Sequence, residues 1–265
     1  MKKHNTSIPA LAFLFFTGMI LQAQNLVTYI PTEKTKPVES DTVITVVDAA
    51  KGLKHLVVTE NGITQMDGFL IGDKRTGKWF NYYPNGVLLS VAEYENGMKS
   101  GLYIECEKSG AVLVQEYYRN DQLNGEQKKY VTSKGVRIVK SIYNYSNGVY
   151  NGLCTDFTDM GTLQSQVQYA NGKKNGTTKW YFSSGSLAME QTYSNDMLNG
   201  EQKIYDQQGN LISTGTFSNN LKAGQWTEFY AGGKMKSQGT YSNDAKAGTW
   251  KYYDESGTLT KTENF

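Results

Sequence analysis

The sequence predicts an all-β chain, an elongated antiparallel meander of about eight to nine stacked 24-residue β-hairpins. Three observations predict it. Glycines recur on a fixed period: Gly77, Gly101 and Gly125 stand 24 residues apart, as do Gly152, Gly176, Gly200, Gly224 and Gly248, with one 27-residue unit joining the two runs. A second glycine follows nine residues after each (Gly86, Gly110, Gly161, Gly185, Gly209, Gly233, Gly257), or ten in the long unit, at Gly135. The stretches between are rich in Tyr, Trp and Phe and end in turn residues, as strands do. Self-similarity on such a period signals a repeat architecture whose units present an extended surface.

The chain opens on Lys2, Lys3 and His4, followed by an apolar run over residues 8–21 and a small-residue site at Ala23 before Gln24. This is the pattern of a secretory signal peptide spanning residues 1–23. The run falls short of the roughly 20 apolar residues that a membrane span needs. No Cys follows it, so a lipid anchor is not expected. Residues 24–52 lie outside the period. Pro31, Pro37 and a Thr/Glu/Lys mixture read as a linker, and the alternation over residues 41–47 reads as one strand capping the array.

The array covers residues 53–265 and begins with a degraded copy, in which Gly68 falls where Gly215 and Gly239 fall and His55 aligns with Trp79. In each clear unit, counted from its first glycine, position +2 holds Trp79, Tyr103, Gln127, Cys154, Thr178, Gln202, Trp226 and Trp250 in turn. Position +5 is aromatic in every unit except that of Cys106. Position +11 is aliphatic, as at Leu88 and Leu211, and the residue seven before the next glycine is aromatic, at +17 as in Tyr94 and Phe217 or at +20 in the long unit, Tyr145. The even step from +11 to +17 places both on one face of a strand. The odd step from +2 to +5 requires either a bulge or aromatics on both faces. Pro84-Asn85-Gly86 and Asn96-Gly97 supply the turns. A lone hairpin buries too little to fold: each large side chain contributes roughly 1.5–3 kcal/mol, against about 1–2 kcal/mol of entropy per ordered residue. Neighbours must stack.

The run Gly224-Gln225-Trp226, Phe229-Tyr230, Gly232-Gly233, Gly239, Tyr241 and Gly248-Thr249-Trp250 resembles MORN repeats, most closely the bacterial MORN-repeat variant. The resemblance covers residues 53–265 and implies a β-hairpin array used for protein–protein or membrane-proximal contacts. Some bacterial relatives are described as antitoxin components of toxin–antitoxin systems, so the resemblance also implies an antitoxin or immunity-type protein as an alternative. Tyr103, Cys106 and Gln127 depart from the pattern.

Catalysis is not expected. After removal of the leader the chain keeps one histidine, His55, with no cluster of ligands or nucleophiles around it, so it reads as a packing residue and no metal or cofactor is implied. Losing Lys2 and Lys3 brings 27 basic against 25 acidic residues to balance. A neutral chain offers no electrostatic attraction to nucleic acid or anionic lipid, and membrane contact is not indicated by charge. Lys173, Lys174, Lys222 and Lys246 read as solvated turn residues. Cys106 and Cys154 are expected to stay unpaired, because strand spacing separates them by roughly 19 Å. The aromatics read mainly as cross-strand packing. Their functional reading is a partly exposed groove for an extended peptide or glycan, formed by Trp79, Tyr103, Trp180, Trp226 and Trp250. The sequence thus points to a non-catalytic protein–protein scaffold, monomeric, exported to the envelope or surface of a Gram-negative-type bacterium. Its partner is an unidentified protein, an envelope component or a toxin. Lys261 and Glu263, at +13 and +15 of the last unit, are expected to protect the C-terminal edge.

Overall fold

The computed structural model describes residues 40–265, so the expected leader and most of the expected linker lie outside the described residues. Every described element is a strand, and all belong to one antiparallel sheet. The strands are β1 (Ser40–Asp48), β2 (Leu53–Glu60), β3 (Ile63–Ile71), β4 (Lys74–Tyr82), β5 (Leu88–Glu95), β6 (Met98–Cys106) and β7 (Val112–Arg119). The central units follow: β8 (Gln122–Leu123), β9 (Gly125–Ser133), β10 (Val136–Ser146), β11 (Val149–Tyr150), β12 (Gly152–Phe157) and β13 (Leu163–Ala170). The remainder are β14 (Lys173–Tyr181), β15 (Leu187–Ser194), β16 (Met197–Tyr205), β17 (Leu211–Ser218), β18 (Leu221–Phe229), β19 (Met235–Ser242), β20 (Ala245–Tyr253) and β21 (Leu259–Asn264).

Pairing follows chain order. β1 pairs with β2, β2 with β3, β3 with β4, and so on to β20 with β21. The short β8 and β11 are the leading ends of interrupted strands continued by β9 and β12. The expected strand over residues 41–47 is seen as β1.

The two glycine series do different jobs. Gly86 closes a tight turn, donating its N–H to Tyr83 O at 2.8 Å, with φ at +78°. Gly77 lies inside β4, where φ is +64° and the register against β3 slips between Phe69↔Thr76 and Asp67↔Phe80. It is a bulge residue, a place where only glycine is unstrained. The other ends of the hairpins carry Asn-Gly or Asn-Asp turns that clasp one another. Asp244 N–H donates to Lys222 O at 3.1 Å while its Oδ1 accepts Lys222 N–H at 2.6 Å.

A second slip corrects one expectation. Tyr82 pairs with Leu88 but Asn81 pairs with Ser90, leaving one extra residue on β5. The same slip recurs at the equivalent point of later hairpins. A one-residue slip reverses the face of what lies beyond it. Leu88 therefore lies on the face opposite Tyr94, although their separation is even. The question left by +2 and +5 is also answered: β4 is regular from Gly77 to Tyr82 along this ladder, so Trp79 and Tyr82 point to opposite faces.

Candidate interaction surface

One face of the sheet carries the core, as a single file of side chains running across the strands. Its members come from +2 of one strand and +15 of the next (+18 in the long unit): Gly68, Trp79, Ala92, Tyr103, Glu116, Gln127, Tyr143, Cys154, and onward to Trp250 and Glu263. This row is where burial concentrates. Trp79 is 1 % exposed, Trp226 5 % and Trp250 4 %. The expectation that these three tryptophans stand partly open as a groove is therefore corrected. Tyr103 and Trp180 are half-buried. Trp180 sits at +4, outside the row, against Ser165 and Met189.

The tryptophans bury because glycine makes room for them. A Cβ on Gly68 would lie 2.3 Å from the Trp79 ring, and one on Gly215 or Gly239 would lie 2.1 or 2.2 Å from Trp226 or Trp250. Each indole N–H then donates to the carbonyl just beyond its glycine: Phe69 O at 2.9 Å, Thr216 O at 3.1 Å and Thr240 O at 3.0 Å. Where the row has no glycine, the next +2 residue shrinks. Ala92 meets Tyr103, Gln191 meets Gln202, and Val167 meets Thr178. The degraded unit does not follow this plan. His55 falls on the other face, stacked on Phe69 at 4.8 Å and hydrogen-bonded to Asp67 Oδ1 at 2.6 Å, and Leu56 takes the place opposite Gly68.

Cations roof the row. Arg75 lies 4.4 Å from the Trp79 ring, Lys222 4.4 Å from Trp226, and Lys246 4.5 Å from Trp250, with Lys99 4.3 Å above Tyr103. Lys174 lies 5.1 Å from Tyr193. Such contacts stabilise by about 0.5–2 kcal/mol. Lys174, Lys222 and Lys246 are thus packing residues rather than solvated turn residues, which corrects that reading. Only Lys173 of the group is exposed.

The middle units fill the row with hydrogen bonds. Glu116, 9 % exposed, accepts from Tyr118 Oη at 2.6 Å and Gln127 Nε2 at 2.5 Å. Asp156 accepts from Tyr143 Oη at 2.5 Å and Ser165 Oγ at 2.9 Å. Burial first, and then the neighbouring carboxylate, raise the Tyr103, Tyr118 and Tyr143 phenols far above the ordinary tyrosine range. Burial likewise raises the thiols of Cys106 and Cys154, which are separate, buried and free. Each oxygen of both carboxylates accepts a hydrogen bond, and among the described residues no group of three or more His, Cys, Asp or Glu side chains is placed to hold a metal.

On the opposite face the mid-strand positions from β16 to β21 are polar, bordered at one hairpin end by the pairs Tyr205–Leu211, Phe229–Met235 and Tyr253–Leu259. Glu201, Thr214, Thr216, Gln225 and Thr227 line one shallow open hollow at Gly215, and Gln225, Gln238, Thr240, Thr249 and Lys251 line another at Gly239. On the far side of those two glycines lie Trp226 and Trp250. Sequence reasoning missed this face because its residues vary in type while keeping their polarity. The +1, +3, +14 and +16 positions, read as one set, carry the signal.

Five stretches, residues 75–96, 174–195, 198–219, 222–243 and 246–265, match the MORN repeat variant. No match is found among curated proteins. In the unmatched middle, residues 97–173, hydrogen-bonded Glu116, Gln127 and Asp156 stand in place of a Gly–Trp fit. Repeated hairpins and the glycine bulge therefore go together with the family match, the Gly–Trp junction recurring in three of the five matched stretches, and the chain belongs to the MORN-repeat variant family.

Proposed function

We propose that the protein is a non-catalytic scaffold for protein–protein contacts, working after export in the bacterial envelope or at the cell surface. The observation that carries this reading is the polar band across the middle of β16–β21, with its hollows at Gly215 and Gly239. Thr and Gln side chains there repeat at the strand spacing, about 4.8 Å. They offer an ordered set of donors and acceptors that needs no rearrangement to meet a partner. Export is supported by Lys2, Lys3, the apolar run over residues 8–21 and the small-residue site at Ala23.

Affinity capture from an envelope extract, with the purified protein as bait, tests both parts. The expected result is a discrete partner that is lost from a Thr216→Lys/Thr240→Lys variant of unchanged circular dichroism. A toxin as partner would make the protein an antitoxin, whereas an envelope assembly protein would make it a scaffold in the narrower sense. No partner above background, or a partner held equally by the variant, would overturn the reading of this face. N-terminal sequencing of the protein from its host should begin at Gln24. An intact Met1 in the cytoplasmic fraction would overturn export.

A further inference from the structure

Among the described strands, β1 forms one edge of the sheet. It pairs only with β2, so no described strand occupies the other side of its backbone. Its side chains are apolar and open on both faces: Val43 is 57 % exposed, Ile44 55 %, Val46 61 % and Val47 54 %. An open apolar strand edge is a template for another strand, and proteins ordinarily blunt it with charge. The other edge is blunted in that way. β21 carries Lys261 and Glu263, paired to each other, between Thr260 and Thr262.

The charges on β1 select among occupants. No charged residue interrupts residues 42–47, while Asp41 and Asp48 mark the two ends, and Asp48 is also within 3.4 Å of Lys51. A second copy pairing antiparallel in full overlap would set Asp41 beside Asp48 twice, and like charges placed opposite are destabilising. The β21 edge of another copy would lay Lys261 and Glu263 along valines and an isoleucine.

We propose that β1 is a docking edge for an extended strand of a different protein, β-branched and uncharged at its centre, with a Lys or Arg at each end. The strand extends the sheet by backbone hydrogen bonds, and its terminal cations meet Asp41 and Asp48. The inference rests on the scaffold reading and names a partner chemistry for it.

The test uses labelled synthetic peptides, Lys-Thr-Val-Thr-Val-Thr-Lys and the same sequence with Glu at both ends, titrated by fluorescence anisotropy against the purified protein. The Lys-ended peptide should bind about tenfold more tightly, and a Val43→Lys/Val46→Lys variant should lose it. Hydrogen exchange supplies the second measurement: β1 amides should exchange quickly in the protein alone and slowly with the peptide. Equal binding of the two peptides, or none, would overturn the proposal. So would β1 amides already protected in the protein alone, which would mean that a second copy or another segment of the chain holds the edge. Envelope partners captured equally by the Val43→Lys/Val46→Lys variant would overturn the edge and leave the scaffold standing. Wild-type protein that binds the Lys-ended peptide but captures no partner would do the reverse.

Discussion

Trp250 lies flat on the backbone of Gly239, so close that a single methyl group there would come within 2.2 Å of the ring. Its indole N–H donates to Thr240 O at 3.0 Å. Gly239 is not in a left-handed conformation, so its conservative replacement tests space alone.

Gly239→Ala should destabilise the C-terminal hairpins by about 1–3 kcal/mol, the usual range for an overpacked core. Combining it with Trp250→Tyr recreates the Ala92–Tyr103 junction found earlier in the row. The pair should therefore cost less than the sum of the single changes by more than about 0.5 kcal/mol. Urea denaturation of the four proteins gives the coupling, and simple additivity would sink the size-matching account.

Thr178 takes the tryptophan place in its unit and is fully buried, with a hydroxyl that has no hydrogen-bond partner. A buried unsatisfied hydroxyl costs about 1–3 kcal/mol. Thr178→Val keeps the shape and removes the cost, so it should stabilise by about 1 kcal/mol. Thr178→Ser keeps the hydroxyl, loses the methyl and should destabilise. Thermal melts that rank Val below wild type would show that the hydroxyl is satisfied.

Much of the fold was legible because glycine reports backbone rather than side-chain needs. Gly86 as a turn residue and the 24-residue period follow from sequence alone. Bulges were not legible in that way. The extra residue on β5 leaves Leu88 and Tyr94 an even number apart in sequence while the sheet sets them on opposite faces. Burial of Trp79, Trp226 and Trp250 was missed for a related reason. Their fit depends on Gly68, Gly215 and Gly239 in the preceding strand, and the match appears only when +15 of one unit is read against +2 of the next. The four exposed apolar residues of β1 read as a cap in sequence, because alternation reports a strand without reporting what lies beside it.

Alkaline pH should unfold the middle units. Tyr103, Tyr118, Tyr143 and Tyr145 have folded-state values raised by burial above the unfolded value of about 10. The folded state then holds protons that the unfolded chain releases. Stability is fully present below pH 10 and is lost as pH rises beyond it. Phenolate absorbance followed together with circular dichroism should show a late tyrosine class that ionises only as the sheet melts. All tyrosines titrating together near pH 10, with the sheet intact, would refute this.

The C-terminal edge should depend on its charges. Glu263 occupies the last place of the row, opposite Trp250, and pairs with Lys261. Lys261→Val/Glu263→Val would make that edge apolar, a match for the open β1 of another molecule. Such a head-to-tail contact does not close on itself and builds filaments. Size-exclusion chromatography should show the variant growing in mass with concentration while the wild type does not. A wild type already polymerised through this end, or a variant that stays monomeric, would end the protective role.

The side-chain fit between successive units also bears on how such a chain grows or shrinks by copying. Excising residues 216–239 would bring Gly215 against Trp250, a junction the protein already uses. Excising residues 192–215 would instead drive the Trp226 indole onto Gln191, whose present neighbour is Gln202. Units of equal length are therefore not interchangeable parts. The tandem run near the C-terminus is free to gain or lose a copy, while the central units hold their order as the teeth of a key do.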